Sequence, residues 1–221
     1  VEDFETGDLG AFSNLIGDDF DWTADADGTT SSGTGPSYDH TIGSAGGGYY
    51  VYIETSPTNP GDEAVLYGVC FDTTSLTSPE LRFWHHMYGS NIGTLDVDIT
   101  IDDGGTWTNV WTLSGDQGDV WTLAAVDLGA YAGDTIGVRF VGSDGGGFFG
   151  DIALDDISFG EAGPATPTPT QTATPCVVTC PGGADVELEA CDNDENGGCL
   201  LATPAFETLN PGTPFCGTLY S

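Results

Sequence analysis

The chain has 221 residues, 35 acids and only two strong bases, Arg82 and Arg139, for a net charge of −33. Such a surface excludes nucleic acid and anionic membrane as partners, since Lys and Arg hold both, and it calls for divalent cations or salt to relieve self-repulsion. Hydrophobic content of 38% supports one good core, but no apolar run approaches the ~20 residues of a membrane span.

The acidity is spread along the chain: 28 acids and both Arg lie in residues 1–161, and 7 acids with no base follow. A halophilic source is the competing account of that charge. Helix signals are nearly absent, because no long stretch places apolar residues at 3.6 spacing. Strand patterns recur instead, at 49–54, 64–71 and 81–87. Residues 95–101 alternate apolar and polar without a break and end in Asp102-Asp103-Gly104-Gly105, a hairpin-type turn. The next strand resumes at 107–111. Two more follow at 121–126 and 136–141. After Gly145-Gly146-Gly147 comes Asp151-Ile152-Ala153-Leu154-Asp155-Asp156-Ile157, with three carboxylates among its core residues. About ten short strands with Gly/Asp turns predict an all-β fold, an antiparallel two-sheet sandwich or jelly roll, over residues 1–161. Period-2 alternation puts Asp96, Asp98 and Thr100 on one solvent face. Arg82 and Arg139, each mid-strand, are natural cross-strand counter-charges.

Residues 162–175 form a Thr/Pro-rich linker of extended polyproline II character. Thr166, Thr168, Thr170, Thr172 and Thr174 are O-glycosylation candidates, whereas no Asn-x-Ser/Thr sequon occurs. Residues 176–221 carry Cys176, Cys180, Cys191, Cys199 and Cys216, a density that reads as disulfides in an oxidising compartment. A zinc site is the weaker reading there, for lack of His and of paired C-x-x-C spacing. Asp192-Asn193-Asp194-Glu195-Asn196-Gly197-Gly198 reads as a turn rather than a calcium loop, lacking the full spacing and the terminal Glu.

Seven segments carry a family resemblance, in order along the chain. They are Asp3-Phe4-Glu5-Thr6-Gly7, Asp18-Asp19-Phe20-Asp21-Trp22-Thr23, Thr34-Gly35-Pro36-Ser37-Tyr38-Asp39-His40-Thr41, Gly48-Tyr49-Tyr50-Val51-Tyr52-Ile53-Glu54-Thr55-Ser56, Phe83-Trp84-His85-His86-Met87-Tyr88-Gly89, Gly93-Thr94-Leu95, and Gly150 to Ile157. Together they resemble the MAM domain, an extracellular module named from meprin, the A5 antigen and a receptor phosphatase. The resemblance implies a two-sheet jelly roll, adhesion or assembly, and no catalysis. The family's N-terminal disulfide cysteines are missing: Val1-Glu2 and Leu9-Gly10 stand in those neighbourhoods. Cys70 is left either as a buried free thiol or as a partner for a tail cysteine. The tail is similar to the start of a cysteine-containing β-domain of large secreted bacterial proteins. On that likeness Ser221 precedes the domain's end, and the polypeptide is expected to be part of something longer.

The resemblance also implies a cation where first and last strands meet. Ca²⁺ takes six to eight hard oxygen ligands, and Asp3, Glu5, Asp19, Asp155 and Asp156 are the candidates, with Asp18 or Asp21 as alternates to Asp19. Neighbouring strand residues face opposite ways, so Asp155 and Asp156 share one ion only across a bulge. Asp156 is the favoured ligand; Asp151 and Asp155 are expected to serve turns and solubility. His85 and His86 fall on opposite faces and make no single site. Asp39-His40 lacks a nucleophile. Tyr49, Tyr50, Tyr52, Trp107, Trp111 and Trp121 are candidates for a sugar-stacking platform. The expected function is a non-catalytic extracellular adhesion or assembly module of a bacterial surface, stabilised by Ca²⁺. It would self-associate through β-sheet edges into a polymer or filament. The alternative is a carbohydrate-binding module of a larger secreted hydrolase.

Overall fold

The computed structural model describes residues 1–44 and 46–163, and the backbone of four short strands beyond them. Two compact units are present, Val1–Pro164 and Ala165–Ser221. In the second, β11 (Cys176–Thr179) pairs with β12 (Asp185–Leu188), and β13 (Asp192–Asn193) with β14 (Cys199–Leu200). Cys180, Cys191, Cys216 and the five linker threonines lie outside the described residues, as do the side chains of Cys70, Cys176 and Cys199.

The first unit is a jelly roll of two five-stranded antiparallel sheets. One sheet contains β1 (Phe12–Asn14), β4 (Glu63–Asp72), β9 (Thr135–Asp144), β6 (Ile92–Thr100) and β7 (Thr108–Ser114), in that spatial order. The other contains β2 (Thr23–Asp25), β3 (Tyr50–Ile53), β10 (Ile152–Glu161), β5 (Pro79–Met87) and β8 (Thr122–Asp127). Among the described residues the only helical element is a 3₁₀ turn at Gly129–Tyr131. The predicted strands are all present, most of them longer than alternation alone marks. The β6–β7 turn is built as its sequence suggests: Asp103 and Gly104 take φ of +54° and +86°, and the Asp102 carboxylate accepts from Thr106 N and both Thr hydroxyls beside it.

The inner faces interlock into one core. Phe12, Leu66, Leu95, Val97, Val138 and Phe140 enter from one sheet, and Val51, Ile53, Leu81, Phe83, Met87, Ile152 and Leu154 from the other. Phe83 stands edge-on to Phe140 at 5.0 Å and to Trp111 at 5.2 Å, an arrangement that aromatic quadrupoles favour.

Two surface expectations need correction. Asp96, Asp98 and Thr100 do share a face, yet Asp98 and Thr100 are only 7% and 4% exposed. Neighbouring strands cover them. Arg139 on β9 donates to Asp98 Oδ2 from Nε and Nη2 at 2.8 Å, while Asn109 Nδ2 donates to Oδ1 at 3.0 Å. Arg139 is therefore the cross-strand counter-charge expected. Arg82 instead pairs with Glu80, two residues back on its own strand.

Candidate functional site

On β10, Ile152 and Leu154 point to the core, so Ala153 and Asp155 face outward. A bulge then interrupts the β10–β5 ladder between Asp155 and Ser158, and Asp156 sits at φ +49°. The extra residue reverses the facing of Asp156. Its Oδ2 lies 2.7 Å from His40 Nδ1 and accepts from Thr41 Oγ1 at 2.7 Å. Asp155 turns to the same loop, with Oδ2 accepting from His40 N at 2.9 Å and Oδ1 from Asp156 N at 2.8 Å. One ligand atom each from His40, Asp155 and Asp156 falls within 4.8 Å of the others. The condition for the two aspartates to meet, a bulge, is thus met.

More acid surrounds this group. Asp39 is fully buried; its Oδ2 accepts from Ile42 N at 2.7 Å, and its Oδ1 has no hydrogen-bond partner. Glu5 and Asp39 crowd the same spot over Gly48, where a Cβ would lie 2.6 Å from Glu5 Oε1 and 2.3 Å from Asp39 Oδ2. A side chain there would force both carboxylates to shift. Asp155 is fully buried too. Burial pushes its pKa up to about 7, with the charges of Asp156 and Asp39 adding to the shift. It is a buried carboxyl, then, rather than a turn residue.

The other candidate ligands have local tasks. Asp3 Oδ1 accepts from Glu5 N at 3.3 Å. Asp19 Oδ2 accepts from Glu63 N at 3.0 Å and Asp18 Oδ2 from Val65 N at 2.8 Å, tying their loop to β4. Neither is brought to His40. Asp151, expected to serve a turn, is also buried. Its Oδ1 accepts from Thr55 N at 3.1 Å, its Oδ2 has no partner, and burial raises its pKa to about 6. Sequence reasoning passed over His40, Thr41 and Asp39 as ligand neighbours, although the Asp39-His40-Thr41 run within the family motif was the available signal.

The histidines on β5 behave as alternation requires. His85 lies against Phe83 and Trp111, and burial lowers its pKa to about 4. His86 faces the opposite side beside Trp121, also lowered by burial, with Asp119 opposing. The six ring residues do not form one platform. Tyr50 and Tyr52 are buried with Ala153 in a small second cluster against Trp121, and Trp111 packs onto the core. Trp107 lies under the Arg139 guanidinium at 4.6 Å. Among the described residues a cavity opens on the outer face of each sheet. One, of about 400 Å³, is lined by Tyr38, His40, Trp84, His86, Asp119 and Trp121. The other, of about 360 Å³, includes Tyr67, Trp107, Gly137 and Arg139.

A family model for the MAM domain, meprin/A5/mu, matches residues 3–165. MAM domain-containing glycosylphosphatidylinositol anchor protein 1 of Rattus norvegicus is 35% identical over 161 residues, 70% of this chain and 16% of that protein. The human protein 2 of that name is 34% identical over 171 residues, 72% of this chain and 18% of the relative. The chain thus spans less than a fifth of these relatives. Among solved structures, the K1 cleaved adhesin domain of Lys-gingipain from Porphyromonas gingivalis superposes with a TM-score of 0.50 at 19% identity. The match covers 73% of this chain and 97% of that one, a likeness of fold.

Proposed function

The chain belongs to the MAM family (meprin/A5/mu), and from that premise we propose that it is a non-catalytic adhesion or assembly module that self-associates when Ca²⁺ binds. Its localisation is extracellular or cell-surface, in keeping with the surface-anchored relatives. The observation that carries the Ca²⁺ reading is the buried acid around His40: Asp155 and Asp39 fully buried, with Asp39 Oδ1 unpaired. A buried charge needs a partner or a proton. The chain has no base to spare, since Arg82 is held by Glu80 and Arg139 by Asp98. Asp39, Asp155 and Asp156, with Glu5 beside them, offer the hard oxygens that Ca²⁺ prefers. A bound dication would neutralise part of this acid and let two strongly negative surfaces approach.

Calorimetry with Ca²⁺ and light scattering in millimolar Ca²⁺ or chelator test this together. Heat of binding, a rise in melting temperature and a larger particle are expected with Ca²⁺. A monomer in both conditions defeats the assembly reading, and no heat with an unchanged melt defeats the cation reading. A second reading, a carbohydrate-binding module, is favoured by the open ring-lined cavity at Trp107.

A further inference from the structure

The outer face of the β1-β4-β9-β6-β7 sheet carries a slot whose floor is bare backbone. On β9, Ile136, Val138 and Phe140 enter the core, so Gly137 and Arg139 face outward. With no side chain at Gly137, space opens between two rings. Tyr67 stands on the neighbouring strand, register partner of Arg139, and Trp107 comes from the β6–β7 hairpin. A Cβ at Gly137 would lie 2.8 Å from Thr100 Cγ2 and 3.8 Å from the Trp107 ring. Leu15 and Val65 extend the Tyr67 wall, and the whole encloses about 360 Å³. Arg139, one step along the same face, is pre-set by Asp98 at 2.8 Å and by the Trp107 ring.

Three features select the occupant. The walls are aromatic and aliphatic, which suits a ring with an apolar face. The Arg139 charge is cancelled by Asp98, and Asp103 also lines the slot. On a chain of net charge −33 an acidic ligand is therefore repelled, and a cation would find Asp103 as its one carboxylate partner in the lining. The volume lies at the small end of small-molecule sites, enough for a ring or two rather than a helix or strand. What satisfies all three is a neutral, ring-shaped polyol. We propose that this slot binds a neutral sugar residue of a glycan, its ring between Tyr67 and Trp107 and its hydroxyls toward Arg139. The proposal deepens the carbohydrate-binding reading and does not depend on Ca²⁺-driven assembly. Because Arg139 and Trp107 are already locked together, little freedom is lost on binding.

The full chain is screened against immobilised neutral oligosaccharides of glucose, galactose, mannose, xylose and N-acetylglucosamine, beside sulfated and uronic-acid glycans. The best binder is then titrated by calorimetry. At least one neutral glycan is retained, and its affinity falls about tenfold or more in Trp107→Ala and in Tyr67→Ala. Tyr38→Ala, in the cavity of the other sheet, leaves it unchanged. Circular dichroism and melting curves establish that each variant is folded. The proposal is overturned if no neutral glycan is retained, if only acidic glycans bind, or if a folded Trp107→Ala binds like the parent. Light scattering on the same samples reads assembly separately. Loss of self-association in Trp107→Ala, with no glycan bound by the parent, overturns it in favour of a second copy as occupant.

Discussion

The two outer faces of the sandwich start from the same alternating pattern and end differently. On the β2-β3-β10-β5-β8 sheet, the segment 26–44 closes over the outward residues. Tyr50 Oη donates to Asp27 O at 2.5 Å, Trp121 Nε1 donates to Tyr38 O at 3.0 Å, and His40 stacks on Trp84 at 3.7 Å. Acids within and beneath that cover lose water: Asp39, Asp151 and Asp155 are all fully buried. On the β1-β4-β9-β6-β7 sheet no such segment intervenes among the described residues. Its buried acids are answered: Asp98 by Arg139 and Asn109, Asp144 by Thr58 Oγ1 and Gly146 N. One face thus stores unpaired charge and asks for a cation or a proton. The other is electrically settled and keeps an open slot.

Four measurements sharpen or break this contrast. The largest effect is expected from paired ring truncations read by urea unfolding. Tyr50→Ala, under the cover, should cost about 3–5 kcal/mol through lost packing and a stranded Asp27 carbonyl. Tyr67→Ala, on the open face, should cost about 1 kcal/mol or less. Equal costs would mean that the cover does not seal.

Next comes the cation. Ca²⁺ at about a hundred times its dissociation constant should add about 2.7 kcal/mol to the parent's stability. In Asp39→Asn most of that gain should vanish, while in Asp103→Asn on the open face it should persist. A full response in Asp39→Asn would remove that carboxylate from the site.

Third, the buried acids set a pH slope. The Asp151 pKa is raised to about 6 in the folded state, against about 3.9 unfolded. The folded form therefore binds the proton more tightly. Stability from this group is complete below pH ~4 and is lost as pH rises through about 6. Asp151→Asn keeps an oxygen for Thr55 N and cannot ionise. It should be more stable than the parent at pH 7–8 by on the order of 2 kcal/mol, the difference disappearing near pH 4. A difference that grows as pH falls would reverse the assignment.

The smallest effect compares the two arginines. Arg139→Met breaks an ion pair and a ring contact and leaves Asp98 poorly paired, for about 1–2 kcal/mol. Arg82→Met removes a surface pair whose guanidinium is half-exposed and should cost less than ~0.5 kcal/mol, vanishing at high salt. Equal losses would show that Arg139 is no more than a surface charge.

Much of this architecture was legible in the residues. Strand positions follow from period-2 patterns such as 95–101, and the hairpin at Asp102 to Gly105 follows from its turn residues. The candidate site was legible in part. Asp155 and Asp156 stood out by charge, and their need of a bulge followed from strand geometry. That His40 joins them, that the Asp39 charge acts on Asp155, and that Asp19 serves β4 instead, was not legible. Asp39 and Asp155 are more than a hundred positions apart, and no local pattern encodes which loop folds across which sheet. The same gap hid the fate of the rings: Tyr50, Tyr52, Trp107 and Trp111 look alike in a strand pattern, yet the cover buries the two Tyr, the core takes Trp111, and Trp107 is left at the open slot.

The sequence by itself determined an acidic, two-sheet β domain, because composition, alternation and turn chemistry act over a few residues at a time, and its seven ordered motifs carried the resemblance to the MAM domain. The tertiary structure alone decided which carboxylates are buried and which are solvated. That outcome depends on desolvation by a distant segment, a long-range property that charge counting does not contain.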